Sequence, residues 1–146
     1  AGTRGYPETL DGESLLPQLT GTGEHQRDWA MCEYHGDRAL TGTFMFRQGD
    51  WKYVKHVGCE SELFNITEDP DETTDLIQEK SDVAQQLDQE LCNNFDCQGI
   101  DARAKQYDKE SFLAWSKQAK ADGTYHDTIA RVYSGHDRLC IEDIAP

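Results

Sequence analysis

Four basic residues crowd into ten positions of an acidic chain: Arg47, Lys52, Lys55 and His56. The formal net charge over 146 residues is −14, so this cluster runs against its background. Guanidinium and ammonium groups donate charge-assisted hydrogen bonds to anionic oxygens, and a sulfated or carboxylated ligand is the chemistry they could serve. His35, set between Tyr34 and Gly36, could bring an imidazole to orient the same anionic group. Asp37 and Arg38 follow it and could shape the same loop. The candidate substrate-binding residues are thus His35, Arg47 and Lys52. A plainer account competes at each, with Lys52 and Lys55 on a solvated strand face and His35 bonded to a nearby backbone carbonyl. His25, His126 and His136 lack partners at metal-ligand spacing, and no cysteines form a paired C-x-x-C zinc pattern, so no metal ligand is expected in this chain.

A sheet is needed to hold these side chains. Phe44 and Phe46, then Trp51, Tyr53 and Val57, alternate with period two on either side of Gly49-Asp50, which predicts a β-hairpin with its turn at the glycine. Strands are predicted at about 30–35, 41–47, 51–57 and 62–65, followed by a turn at Asp69-Pro70-Asp71-Glu72 that leads into a helix. Ser14 can cap a short helical turn through Leu19. Ser81 can cap a longer helix whose Val83, Leu87 and Leu91 face the core. A third helix is predicted from Asp108, with Phe112, Trp115 and Ala119 as its stripe and Asp122-Gly123 as its end; a short fourth follows over Tyr125 to Tyr133. The fold class is α+β, a small antiparallel sheet of about four strands with helices packed on one face. Its parts are a linker and short helix over 1–25, the sheet over 26–78 and a helical tail over 79–146.

Composition narrows the partners. From Glu60 to Glu90 eleven acidic residues face one basic residue, Lys80, which disfavours nucleic acid. No apolar run approaches the roughly 18 residues that span a bilayer. Only 36% of the chain is hydrophobic, so a larger neighbour would help it bury a core. Five cysteines favour an oxidising compartment. Cys92 and Cys97 could close a small disulfide loop, while a buried free thiol is the alternative for any one of the five. Asn65-Ile66-Thr67 is a glycosylation sequon, although Asn65 could equally serve as a turn residue.

Two separated segments carry a family likeness. Gly49, Trp51, Lys52, Tyr53 and Val54, then Glu62-Leu63-Phe64-Asn65-Ile66, Asp69-Pro70, Glu72 and Asp75-Leu76, resemble the hairpin and following turn in the C-terminal subdomain of the type I sulfatases. Leu10-Asp11-Gly12-Glu13-Ser14-Leu15-Leu16-Pro17-Gln18-Leu19 resembles a second family segment, "L-D-G-x-S-L-L-P-x-L". Glu33-Tyr34-His35-Gly36 and Gln106 to Phe112 are most similar to the arylsulfatase K branch, with bacterial choline sulfatases more distant. Two motifs in order are harder to obtain by chance than one.

The resemblance implies the alkaline-phosphatase-like sulfatase fold and hydrolysis of sulfate esters, aryl or glycosaminoglycan-type, in a secreted or lysosomal setting. It also implies a formylglycine made within C/S-x-P-x-R and a calcium ion beside it. That motif is not in this sequence, and the likeness places Ala1 in mid-fold. The expected partner is therefore an N-terminal catalytic chain or domain of the same sulfatase, which would hold the nucleophile and the calcium. This chain would complete the fold and one wall of the pocket, with His35 retained for substrate contact and no catalytic residue of its own. The alternative is a non-catalytic secreted binding or structural module derived from a sulfatase.

Overall fold

The computed structural model describes residues 14–22, 28–36 and 39–132. His25, Asp37, Arg38, Tyr133, His136 and Cys140 lie outside the described residues, as does the first part of the Leu10 to Leu19 segment. The chain divides into two compact units, at Phe95 and Asp96.

The first unit opens with helix α1, Leu16–Thr20. Ser14 Oγ accepts from Leu16 N at 3.2 Å, and Gly21 ends the helix. A sheet of four antiparallel strands follows in the order β1 (Trp29–Tyr34), β2 (Thr43–Gln48), β3 (Trp51–His56), β4 (Glu62–Asn65). The two-residue turn Gly49-Asp50 joins β2 to β3, with Gly49 at φ 57 and its neighbour at negative φ. That is the arrangement in which the turn's own twist matches the strands, and glycine adopts it without strain.

Register sorts the side chains. Phe44 pairs with Lys55, Phe46 with Tyr53 and Tyr53 with Leu63, so all five lie on one face. Helix α2, Ser81–Asn94, packs on β2 and β3 and buries Ala84, Leu87 and Leu91. Phe44, Phe46, Leu63 and Leu91 are fully buried. Val83 was expected in this stripe, but it is only half-buried and Ala84 takes its place. A 3.6-residue turn carries the core line from 84 to 87, 88 and 91, whereas a strict step of four drifts off the face.

Asp88 falls in that stripe. Its Oδ1 accepts from Tyr53 Oη at 2.9 Å and from Lys55 Nζ, while Tyr53 Oη also meets Ser61 Oγ at 3.1 Å. The carboxylate thus fastens helix to sheet at the edge of the apolar contact.

The outer edge of β4 is closed by the residues after it. Leu63 N donates to Asp75 Oδ1 at 3.0 Å, and Leu76 N donates to Leu63 O at 2.8 Å. The turn at Asp69 does not run directly into a helix as expected. Asp69 Oδ2 takes Thr74 N at 2.8 Å, Glu72 sits at φ 54, and helix begins only at Ser81. A left-handed residue breaks the helical path.

In the second unit α3 spans Cys97–Ala121 and α4 spans Tyr125–Val132. Helix α3 begins well before Asp108, the expected start. Asp96 caps it by accepting from Gly99 N at 2.9 Å, and Cys97, Ile100 and Ala104 form a thin apolar line that Gly99 and the charged residues around it hid from a periodicity reading. Ala119 is buried as expected, with Ser116 and Asp101 beside it in the buried set, while Trp115 is 36% exposed. Trp115 stands 5.7 Å from Phe112 and 5.6 Å from Tyr125, and Lys120 Nζ lies 4.9 Å above the Tyr125 ring. The expected α+β class, the small antiparallel sheet and helical packing on one face all hold.

The Asp88 junction has a pH signature. Burial foremost, together with Asp88, raises the Tyr53 hydroxyl above the usual 10.0, against the pull of Ser61 and Lys55. For Lys55, burial acts downward, but the bond and charge of Asp88 outweigh it and leave the ammonium raised above 10.5. Both groups keep their protons longer in the folded chain, so their stabilisation is complete below the unfolded-chain values and is lost as pH rises through the folded ones. Urea midpoints should fall as pH climbs past about 10, less steeply in Asp88→Asn. Equal slopes in the two proteins would show that Asp88 is not the cause.

Candidate substrate-facing residues

His35 follows β1 on the side of the sheet that carries Glu33 and Phe44. Its ring meets Phe44 edge-on, 5.4 Å between centroids at 77°. Phe44 is fully buried, so one side of the imidazole rests on the core. His35 Nε2 is buried without a hydrogen-bond partner, and Glu33 Oε2 stands 3.8 Å from it. The backbone-carbonyl role weighed for His35 is not what Nε2 does.

Arg47 and Lys52 stand elsewhere. They are direct cross-strand partners on the opposite face, at the turn end of the hairpin, whereas His35 lies at the other end. The three candidates therefore do not converge on one small ligand. Lys52 Nζ pairs with Glu72, both about a third exposed or less, so its charge is already met inside the subdomain. Arg47 is exposed. Lys55 is held by Asp88, and His56 is held on both sides, by Thr43 Oγ1 at Nδ1 (3.0 Å) and Glu62 at Nε2 (3.3 Å).

His56 sits between two shallow depressions. One, of about 410 Å³, is lined by Tyr34, Leu40, Thr43 and Cys59 besides His56; the other, of about 320 Å³, has Glu60, Glu62 and Asp75. The sequence grouped His56 with the hairpin cations and passed over Thr43 and Glu62. Only the register, which sets Thr43 opposite His56, could have joined them. Among the described residues no group of three or more His, Cys, Asp or Glu is arranged to hold a metal ion, so these residues do not fit the calcium of the sulfatase pattern.

Asn65 is 9% exposed, and its Oδ1 accepts from Thr67 N at 3.1 Å and Glu68 N at 3.2 Å. It works as the turn residue after β4. Cys92 is exposed near the end of α2 and is a free thiol in this structure, as are the exposed Cys32 and Cys59, while Cys97 is buried at the first position of α3.

No family model matches the chain. Solved structures carry the same fold. A sulfatase-like protein from Bacteroides thetaiotaomicron superposes with a TM-score of 0.57 at 22% identity, over 69% of this chain and 23% of its own. A 2-O GAG sulfatase gives 0.51 at 23% identity, over 69% and 22%. The four-stranded sheet with its helix is thus the subdomain fold found in sulfatases. In sequence the chain is 34% identical over 135 residues to arylsulfatase K of Danio rerio, covering 86% of this chain and 25% of that protein. For the Homo sapiens arylsulfatase K the identity is 31% over 136 residues, 86% of this chain and 25% of the relative. The chain belongs to the sulfatase family, on the side of arylsulfatase K, and spans about a quarter of the length of the curated relatives it matches.

The turn role of Asn65 sets a measurable cost. Asn65→Ala strands two backbone N–H groups and should destabilise by about 1–2 kcal/mol in urea unfolding, while Asn65→Asp, which keeps an acceptor, should cost less. Equal losses in the two variants would refute the capping role.

Proposed function

We propose that this chain is the C-terminal part of a sulfate ester hydrolase, in which it completes the fold and forms one wall of the substrate pocket. The nucleophilic formylglycine and the calcium would belong to a separate N-terminal catalytic part. Support comes from the 86% of the chain that aligns with arylsulfatase K. The observation that carries the wall assignment is the His35 ring, 20% exposed and set edge-on against Phe44 at the end of the sheet away from the hairpin turn.

A sulfate or carboxylate oxygen of the substrate would meet the exposed part of that ring. His35 would then bind and orient an anionic group while its ring stays fixed against Phe44. Arg47, on the other face, would serve attraction of the anion or contact with the catalytic part. An aryl sulfate and a 2-sulfated glucuronate are the substrate classes to try first. The sequon and the cysteines support a secreted or lysosomal setting.

The test is sulfate release by the assembled protein, catalytic part included, from an aryl sulfate and from a 2-sulfated glucuronate disaccharide. Turnover should be lost when this chain is left out and fall about tenfold or more with His35→Ala on the glucuronate, the worth of one charge-assisted hydrogen bond. No release from either substrate would defeat the hydrolase reading and favour a non-catalytic binding module.

A further inference from the structure

Helix α2 covers the face of the sheet that carries Phe44, Phe46, Tyr53 and Leu63. On the other face, at the end away from the hairpin turn, Tyr34, Thr43 and His56 stand side by side across β1, β2 and β3. The bonds of His56 to Thr43 and Glu62 fix the middle of this row. Around it large apolar groups are left in solvent. Leu40 is 94% exposed and Tyr34 56%, and with Cys59 they border the depression of about 410 Å³. Cys32, also exposed, lies on the same face two residues before Tyr34 along the edge strand β1. Single exposed leucines are ordinary, but a leucine and a tyrosine around one concave floor mark a contact surface. Among the described residues the remaining flanks of the sheet are covered or charged. Asp75 and Leu76 close the β4 edge, and the hairpin end carries exposed Arg47 and the pair of Lys52 with Glu72.

We propose that the face bearing Tyr34, Leu40, His56 and Cys59 is the surface on which the N-terminal catalytic part of the same sulfatase docks. This rests on the function proposed above. Length argues for that occupant: arylsulfatase K of Danio rerio aligns with this chain over 25% of its own length, so about three quarters of such a protein has no counterpart here. The complementary surface is apolar where it meets Leu40 and Tyr34. It carries basic groups opposite Glu60 and Glu62, which line the adjoining depression beside His56. Docking there also brings the catalytic part to the end of β1, which His35 follows.

Two native thiols report on this contact. Cys59 lies within it, and Cys92 lies on α2, outside it. Both are exposed in this chain. In the assembled protein, catalytic part included, a maleimide should modify Cys92 promptly and Cys59 about tenfold or more slowly. Leu40→Asp puts a charge into the apolar contact and should speed Cys59 labelling about tenfold, the order expected when one leucine side chain is no longer buried. The core of the first unit is not at stake, since Leu40 stands almost wholly in solvent here. Leu113→Asp, on α3, should leave Cys59 protected. Cys59 that reacts as fast as Cys92 in the wild type, stays protected in Leu40→Asp, or is released equally by both substitutions would overturn the docking surface. Sulfate release separates this idea from the function on which it rests. Release by a protein whose Cys59 reacts freely upholds the hydrolase reading and discards the surface. No release from a protein whose Cys59 is protected and freed by Leu40→Asp sinks the hydrolase reading and leaves the contact with the N-terminal part standing.

Discussion

Everything in the first unit depends on one apolar contact with a carboxylate at its margin. Phe44, Phe46 and Leu63 on the sheet are closed over by Ala84, Leu87 and Leu91 of α2, and Asp88 reaches from the same helical stripe to Tyr53 and Lys55. The hydrocarbon burial supplies most of the driving force. Asp88 supplies direction, because a carboxylate shared by a phenol and an ammonium tolerates little sliding of helix on sheet.

The sulfatase-like motif residues turn out to hold one another. Lys52 from the hairpin segment pairs with Glu72 from the turn segment, Trp51 lies opposite Asn65, and Asp75 closes the edge of the strand that contains Leu63 and Phe64. Their spacing in sequence is therefore the spacing of a structural clasp. Glu72 illustrates the cost: it accepts a left-handed backbone, worth about 1–2 kcal/mol of strain, and its ion pair with Lys52 helps to hold it there. Edge closure by Asp75 and Leu76 has a second consequence. It covers the groups of β4 that would otherwise invite another strand to pair.

His35, the candidate for substrate contact, stands at the opposite end of the sheet from the hairpin turn. It rests edge-on against Phe44, and its buried Nε2 meets no hydrogen-bond partner among the described residues. Arg47 and Lys52 share the other face, one exposed and the other paired. A cluster of cations along a sequence is thus divided between two faces of a sheet, and charge density in one dimension says little about a site in three.

Local rules made much of this molecule legible in its sequence. Period-two alternation and Gly49 located the hairpin, and the apolar recurrence around Leu87 and Leu91 located α2, because both signals arise from neighbours in the chain. The start of α3 was not legible, since Gly99 and charged residues interrupt the short apolar line of Cys97, Ile100 and Ala104 in its first turns. Nor was the fate of the charged residues. Lys52 to Glu72, Lys55 to Asp88 and His56 to Glu62 are partners that strand register and helix docking bring together across 20, 33 and 6 positions. The sequence alone determined which residues are basic, which alternate and where the chain must turn. Tertiary structure decided which charges are spent on the fold and which nitrogen is left over, because an ion pair depends on distance in space and the sequence encodes only order.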